Sequence, residues 1–190
     1  KVLEKCQAAL DQAQPVRGID FSKEERAILK PLCLITAKPA MFVGNVSETG
    51  FENNPFLDRL KEFAAKQNAP VVAICAKTEA ELAEMEEEDR AMFLAEMGQD
   101  EPGLNRLIRA AFKLLALQTY FTAGEKEVRA WTIHVGDTAP EAAGVIHSDF
   151  ERGFIKAETV AYDDLVACGS VAAAREKGLY RMEGKEYVVK

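Results

Sequence analysis

Apolar residues in the opening stretch KVLEKCQAALDQAQ fall at Val2, Leu3, Cys6, Ala9 and Leu10, the spacing of one helix face, and no capping residue precedes them. Ser22 with Glu25 three residues on forms a capping box, which predicts a second helix from near Phe21; Pro31 either kinks or shortens it. AMFVGN and PVVAIC are short, apolar and unalternating, as strands buried on both faces of a parallel sheet would be. Between them, Asn54 is placed to cap and Pro55 to open a helix carrying Leu57, Leu60 and Ala64 on one face, so the order is strand, helix, strand. Thr78 with Glu81 reads as a capping box for the helix TEAELAEMEEEDRAMFLAEMG, ended by Gly98, and GLNRLIRAAFKLLAL supplies another amphipathic helix.

The pattern changes near Leu117. Two alternating runs flank the turn Ala123-Gly124-Glu125-Lys126, and Thr138 with Glu141 predicts a capped helix after them. YRMEGKEYVVK reads as a further hairpin with Glu183-Gly184 at its tip. The fold class expected is therefore an α/β portion with a parallel βαβ unit, followed by a small α+β domain.

Composition narrows the function. At 190 residues and 48% apolar, the chain supports one good core or two modest ones. No window approaches the roughly 18 apolar residues of a membrane span, and no secretion signal opens the chain, so the expectation is a cytoplasmic protein with no membrane partner. Cys6, Cys33, Cys75 and Cys168 are widely separated and suggest neither zinc site nor disulfide. With 24 basic against 31 acidic residues, a net charge of -7 excludes nucleic-acid binding through bulk charge and leaves only a local basic patch. His134 and His147 lack partners at ligand spacing, and the acidic run Glu84–Arg90 reads as a solvated helix face.

Ligands of open α/β sheets bind beyond the carboxyl ends of the strands. Asn45-Val46-Ser47-Glu48 follow the first strand, and Cys75-Ala76-Lys77 follow the second. An asparagine carboxamide pairs with the N7 and exocyclic edge of a purine. In nucleotide domains of the GTPase kind, such an asparagine begins N-K-x-D, whose aspartate accepts from guanine N1 and N2 hydrogens. Here Val46 replaces the lysine and the longer Glu48 replaces the aspartate, so the guanine lock is loosened and adenine becomes admissible. The competing reading makes Asn45 a turn former and Glu48 a surface residue.

KPAMFVGNVSETGFENNPFLDRL, the long block from Glu101 to Leu165 and GKEYVVK together resemble the YchF-type P-loop ATPases, relatives of the Obg GTPases, over essentially the whole chain. The resemblance implies three parts: the end of a helical coiled-coil insertion at residues 1–20, the C-terminal portion of the nucleotide-binding domain at 21–116, and most of a TGS domain of β-grasp type at 117–190, its last strand missing. It places base recognition on Asn45, Val46 and Glu48, backed by Cys75, Ala76 and Lys77. It also implies ATP, or GTP, with Mg in the complete protein, and ribosome or structured-RNA partners. Lys126, Arg129, Arg152 and Lys156, near Trp131, are the candidate RNA contacts, although Trp131 also suits a core position. No G-x-x-x-x-G-K-[ST] occurs, so nothing in these residues cradles phosphates or holds Mg, and the expectation is that the chain alone hydrolyses nothing. An RNA-binding TGS module with a vestigial nucleotide half is the alternative, and a GTP-dependent protein the third.

Overall fold

The computed structural model describes residues 1–124 and 126–190, and divides into two compact units, Lys1–Leu115 and Ala116–Lys190. The expected turn residue Glu125 lies outside the described residues.

In the first unit, α1 (Val2–Asp11) buries Cys6 and Ala9, while Leu3 and Leu10 stay exposed. Cys6 shares an apolar cluster with Val16 and with Leu29 of α2 (Lys23–Leu29). The Ser22 capping box forms: Ser22 Oγ accepts from the Glu25 N–H, and the Glu25 carboxylate accepts from the Ser22 N–H. Pro31 shortens the helix rather than kinking it, because the chain tightens into a 3-10 turn at Lys30–Leu32.

Strands β1 (Phe42–Asn45) and β2 (Val71–Ile74) pair in parallel, Asn45 opposite Ile74, with α3 (Pro55–Lys66) between them in sequence. Asn54 Oδ1 accepts from the Phe56 and Leu57 N–H groups and caps α3. Leu57 Cδ1 and Leu60 Cδ2 press so close to Gly44 that a Cβ there would lie 3.0 and 3.3 Å from them. The strands are less buried than their apolar runs predict. Gly44 and Val72 are buried, but Val43 is 44% exposed, because α3 covers only one face of this two-stranded ladder.

The Thr78–Glu81 capping box does not form. Helix α4 (Ala76–Glu84) begins one residue after β2, which puts Thr78 inside the helix, buried, with its Oγ1 unpartnered. The long helix expected there also breaks. Arg90 of α5 (Glu87–Glu96) donates Nε to the Leu82 carbonyl and Nη2 to the Met85 carbonyl, satisfying the acceptors that end α4. Gly98, at φ +65°, closes α5: its N–H bonds the Ala95 carbonyl and the Gln99 N–H bonds the Leu94 carbonyl. Helix α6 (Gly103–Leu114) then packs on β2.

The second unit opens with the antiparallel hairpin β3 (Leu117–Ala123) and β4 (Val128–His134), Tyr120 opposite Trp131. Ile133 of β4 is the largest fully buried side chain among the unit's described residues, and Tyr120 Oη donates to the Ala142 carbonyl of α7 (Ala139–Ile146) at 2.9 Å. Burial raises the Tyr120 pKa. Short helices α8 (Ser148–Arg152), α9 (Tyr162–Cys168) and α10 (Val171–Glu176) follow, with β5 (Ala157–Thr159) after α8. The expected terminal hairpin is replaced by non-local pairing. β6 (Arg181–Glu183) pairs with β5, and the residues after Gly184 turn away to bridge Thr138 through Val188. Gln118 and Asp137 take up the Val189 backbone, drawing the segment toward the first hairpin.

Candidate functional site

Parallel pairing sets the ends of β1 and β2 side by side, and their outgoing loops meet. Val46 extends the ladder by one bond, its N–H donating to the Ile74 carbonyl at 2.8 Å. Asn45 is exposed at the strand end, and its Oδ1 accepts from the Ala76 N–H at 3.1 Å. The contact has a local cause. Helix α4 starts with Cys75 as its N-cap, a buried thiol that makes no capping bond, so the first free N–H of the helix takes its acceptor from the neighbouring strand end. The Nδ2 donors of Asn45 have no protein partner among the described residues.

Glu48 and Lys77, both exposed, form a salt bridge of 2.8 Å, and Glu81 stands 3.9 Å from the same ammonium. The hydrogen bond from Lys77 to Glu48 is the main reason its pKa lies above the ordinary lysine value; the charges of Glu48 and Glu81 add to it. All six residues of the sequence-derived base site therefore lie at the adjacent ends of β1 and β2 and in the segments that leave them, joined in pairs by Asn45–Ala76 and Glu48–Lys77.

One residue that the sequence did not single out holds this site from behind. Glu79, on the first turn of α4, accepts from the Gly103 N–H at Oε1 (2.7 Å) and from the Leu104 N–H at Oε2 (3.0 Å). The signal was present in negative form: α6 begins after Pro102, which carries no capping side chain, so its first N–H groups need an acceptor from elsewhere.

The four candidate RNA contacts are exposed and enter no ion pair among the described residues. Lys126 and Arg129 lie at the tip and outgoing strand of the β3–β4 hairpin, Arg152 ends α8, and Lys156 precedes β5. No hydrogen bond among the described residues joins the first pair to the second. Trp131 is half-buried: its Nε1 donates to Thr122 Oγ1, and the Arg129 guanidinium lies 4.3 Å from the ring centroid. His147 Nδ1 accepts from the Asp149 N–H and caps α8, a structural use. Among the described residues, no group of three His, Cys, Asp or Glu side chains is arranged to hold a metal ion, and no helix is long and apolar enough to cross a membrane.

Residues 117–190 match the family model YchF-GTPase_C, described as a protein of unknown function (DUF933). The chain is 54% identical over 189 residues to the ribosome-binding ATPase YchF of Escherichia coli O157:H7, covering 100% of this chain and 52% of that protein. It is 52% identical over 195 residues to the ribosome-binding ATPase YchF of Bacillus subtilis strain 168, again covering 100% of this chain and 52% of the relative. The structure of the Schizosaccharomyces pombe YchF GTPase superposes with a TM-score of 0.85 at 35% identity, over 100% of this chain and 51% of that one. The chain thus spans about half the length of the curated relatives it matches. Over all of its residues it is homologous to the YchF proteins, and its second unit carries the domain named for their C-terminal part.

Proposed function

We propose that these residues supply the purine-recognition loops and the C-terminal domain of a cytoplasmic, ribosome-associated YchF-type NTPase that prefers ATP. The observation that carries the reading is the state of the two strand-end groups. Asn45 is fixed through its oxygen to the Ala76 N–H, which leaves its two amide hydrogens for a purine N7, and one lone pair of Oδ1 for the adenine amino group. The Glu48 carboxylate is occupied by Lys77. A carboxylate so neutralised is a poor acceptor for guanine N1 and N2 hydrogens, and it presents less uncompensated charge to the N1 lone pair of adenine. The names of the relatives support both the nucleotide and the ribosome.

The residues present fit a base and do not fit phosphates or Mg: there is no phosphate-binding glycine loop in the sequence and no clustered donor set for an ion among the described residues. Base binding and orientation are therefore the contribution of this chain to catalysis. On this reading residues 1–20 are the end of a coiled-coil insertion, 21–116 belong to the nucleotide domain, and 117–190 form a TGS domain of β-grasp type.

The test is calorimetric titration of ATP and of GTP into the full-length protein and its Asn45→Ala variant. ATP preference in the wild type, lost in the variant, supports the reading; a protein that binds GTP at least on the order of tenfold more tightly than ATP overturns it. A second reading, an RNA-binding module with a vestigial nucleotide half, is favoured by the unpaired cations and the Arg129–Trp131 stack. It predicts that charge reversal at Lys126 and Arg129 weakens ribosome co-sedimentation while Asn45→Ala changes nothing.

A further inference from the structure

Helix α4 carries Ala76 and Lys77 on its first turn, so the direction in which it leaves β2 decides where the base-backing loop stands relative to Asn45. Leu82 buries its far end, but the polar groups of its first turn do little to fix that direction. The N-cap Cys75 makes no side-chain bond, and the Thr78 hydroxyl is unpartnered. What fixes it is the carboxylate of Glu79, both of whose oxygens are taken by the first two N–H groups of α6. These are charge-assisted bonds to a helix N-terminus, where the aligned peptide dipoles favour an anion.

Helix α6 is in turn fastened to the strand. Arg106 Nη2 donates to the Ala73 carbonyl of β2 at 3.3 Å, and Nη1 donates to Gln99 Oε1 at 2.9 Å. The fit is tight at the joint. A Cβ on residue 103 would lie 2.6 Å from Glu79 Oε1 and 3.0 Å from Ile74 Cγ2, so any larger residue there would push the carboxylate off its present seat on the Gly103 N–H. β2, α4 and α6 form a closed triangle, with Glu79 as its third side.

We propose that Glu79 is a positioning residue for nucleotide recognition: by tying the first turn of α4 to α6 it sets the Ala76 N–H against Asn45, and with it the orientation of the Asn45 amide toward the base. This rests on the base-site reading above. It assigns Glu79 a role in affinity, and Gly103 a role as the residue that lets Glu79 perform it.

The experiment titrates ATP into the full-length protein as wild type, Asn45→Ala, Glu79→Ala, Glu79→Gln and Gly103→Ala, with amide hydrogen exchange followed at Ala76. Glu79→Ala and Gly103→Ala should each weaken ATP binding on the order of tenfold and speed exchange at Ala76. Glu79→Gln, which keeps one acceptor oxygen, should recover part of both; a variant defective only through general destabilisation would not show exchange at Ala76 tracking affinity across the series. If Glu79→Ala does not fold, Gly103→Ala and Glu79→Gln decide by the same criteria. Wild-type affinity in the Glu79 and Gly103 variants, with Asn45→Ala weakened, overturns this inference and leaves the base site standing. ATP binding that ignores Asn45 overturns both.

Discussion

The first unit holds its candidate residues; the second displays them. Asn45, Glu48 and Lys77 each have a partner on the neighbouring segment, and Glu79 anchors the helix behind them. Lys126, Arg129, Arg152 and Lys156 stand in solvent with no ion pair among the described residues, and the one ordered contact is Arg129 over Trp131. The difference follows from what each kind of recognition requires. Reading the edge of a base needs donors fixed to within fractions of an ångström, whereas attracting a phosphate backbone needs only charge near a surface.

Each unit rests on a buried apolar side chain whose loss should have the largest effect. Leu57 is 4% exposed beneath β1 and Ile133 is 1% exposed beneath the hairpin. Truncating either to alanine should cost about 2–5 kcal/mol. For Ile133→Ala the sole tryptophan, Trp131, reports the loss as an earlier denaturant midpoint; for Leu57→Ala, amide exchange in β1 and β2 does so. An Ile133→Ala protein whose tryptophan transition stayed in place would mean the second unit lacks the core described.

Each unit also has a helix started by a Ser/Thr–Glu pair, and these should respond alike. Ser22→Ala and Thr138→Ala each remove a hydroxyl in contact with a capping glutamate, worth about 1 kcal/mol by chemical denaturation. A null result in one unit only would break the symmetry.

Acid should act through the same pairs. The hydrogen bond from Lys5, then that from the Ser22 N–H, holds the Glu25 pKa below its ordinary value; the Thr138 N–H, then its hydroxyl, does the same for Glu141. A carboxylate with a lowered folded pKa contributes stability above its unfolded pKa of 4.5 and loses it as pH falls through the folded value. Glu25→Gln and Glu141→Gln should therefore be less stable than wild type at neutral pH and converge with it below pH 4.5. A stability gap that persisted undiminished into acid would assign the effect to packing rather than charge.

The smallest effect belongs to the displayed surface. Arg129→Ala should cost about 0.5–1 kcal/mol through loss of the ring contact, isolated by a double-mutant cycle with Trp131→Leu. A coupling energy near zero would leave Arg129 a free charge.

Features that depend on neighbours in sequence were legible, and those that depend on neighbours in space were not. The Asn54-Pro55 helix start, the Ser22 box and the Gly98 stop are local, and each forms as its residues dictate. The sites at the strand ends follow from a rule of topology, so Asn45 and Glu48 could be singled out before any geometry. Thr78 looked like a cap because its spacing to Glu81 is right, yet the strand runs to within one residue of the helix and buries it. The partner of β6 lies two helices upstream in β5, beyond the reach of any local pattern, and the break after Glu84 comes from Arg90 folding back rather than from a proline or glycine.

The joint between Glu79 and Gly103 also constrains how such a sequence can drift. A side chain at 103 crowds the carboxylate, and without the carboxylate the tightest contact that favours glycine at 103 is gone, leaving only that with Ile74 Cγ2. The two positions, 24 apart in sequence, should be inherited as a pair: where a relative has lost one, the other is released to vary, and a lineage that regained either alone would gain nothing from it.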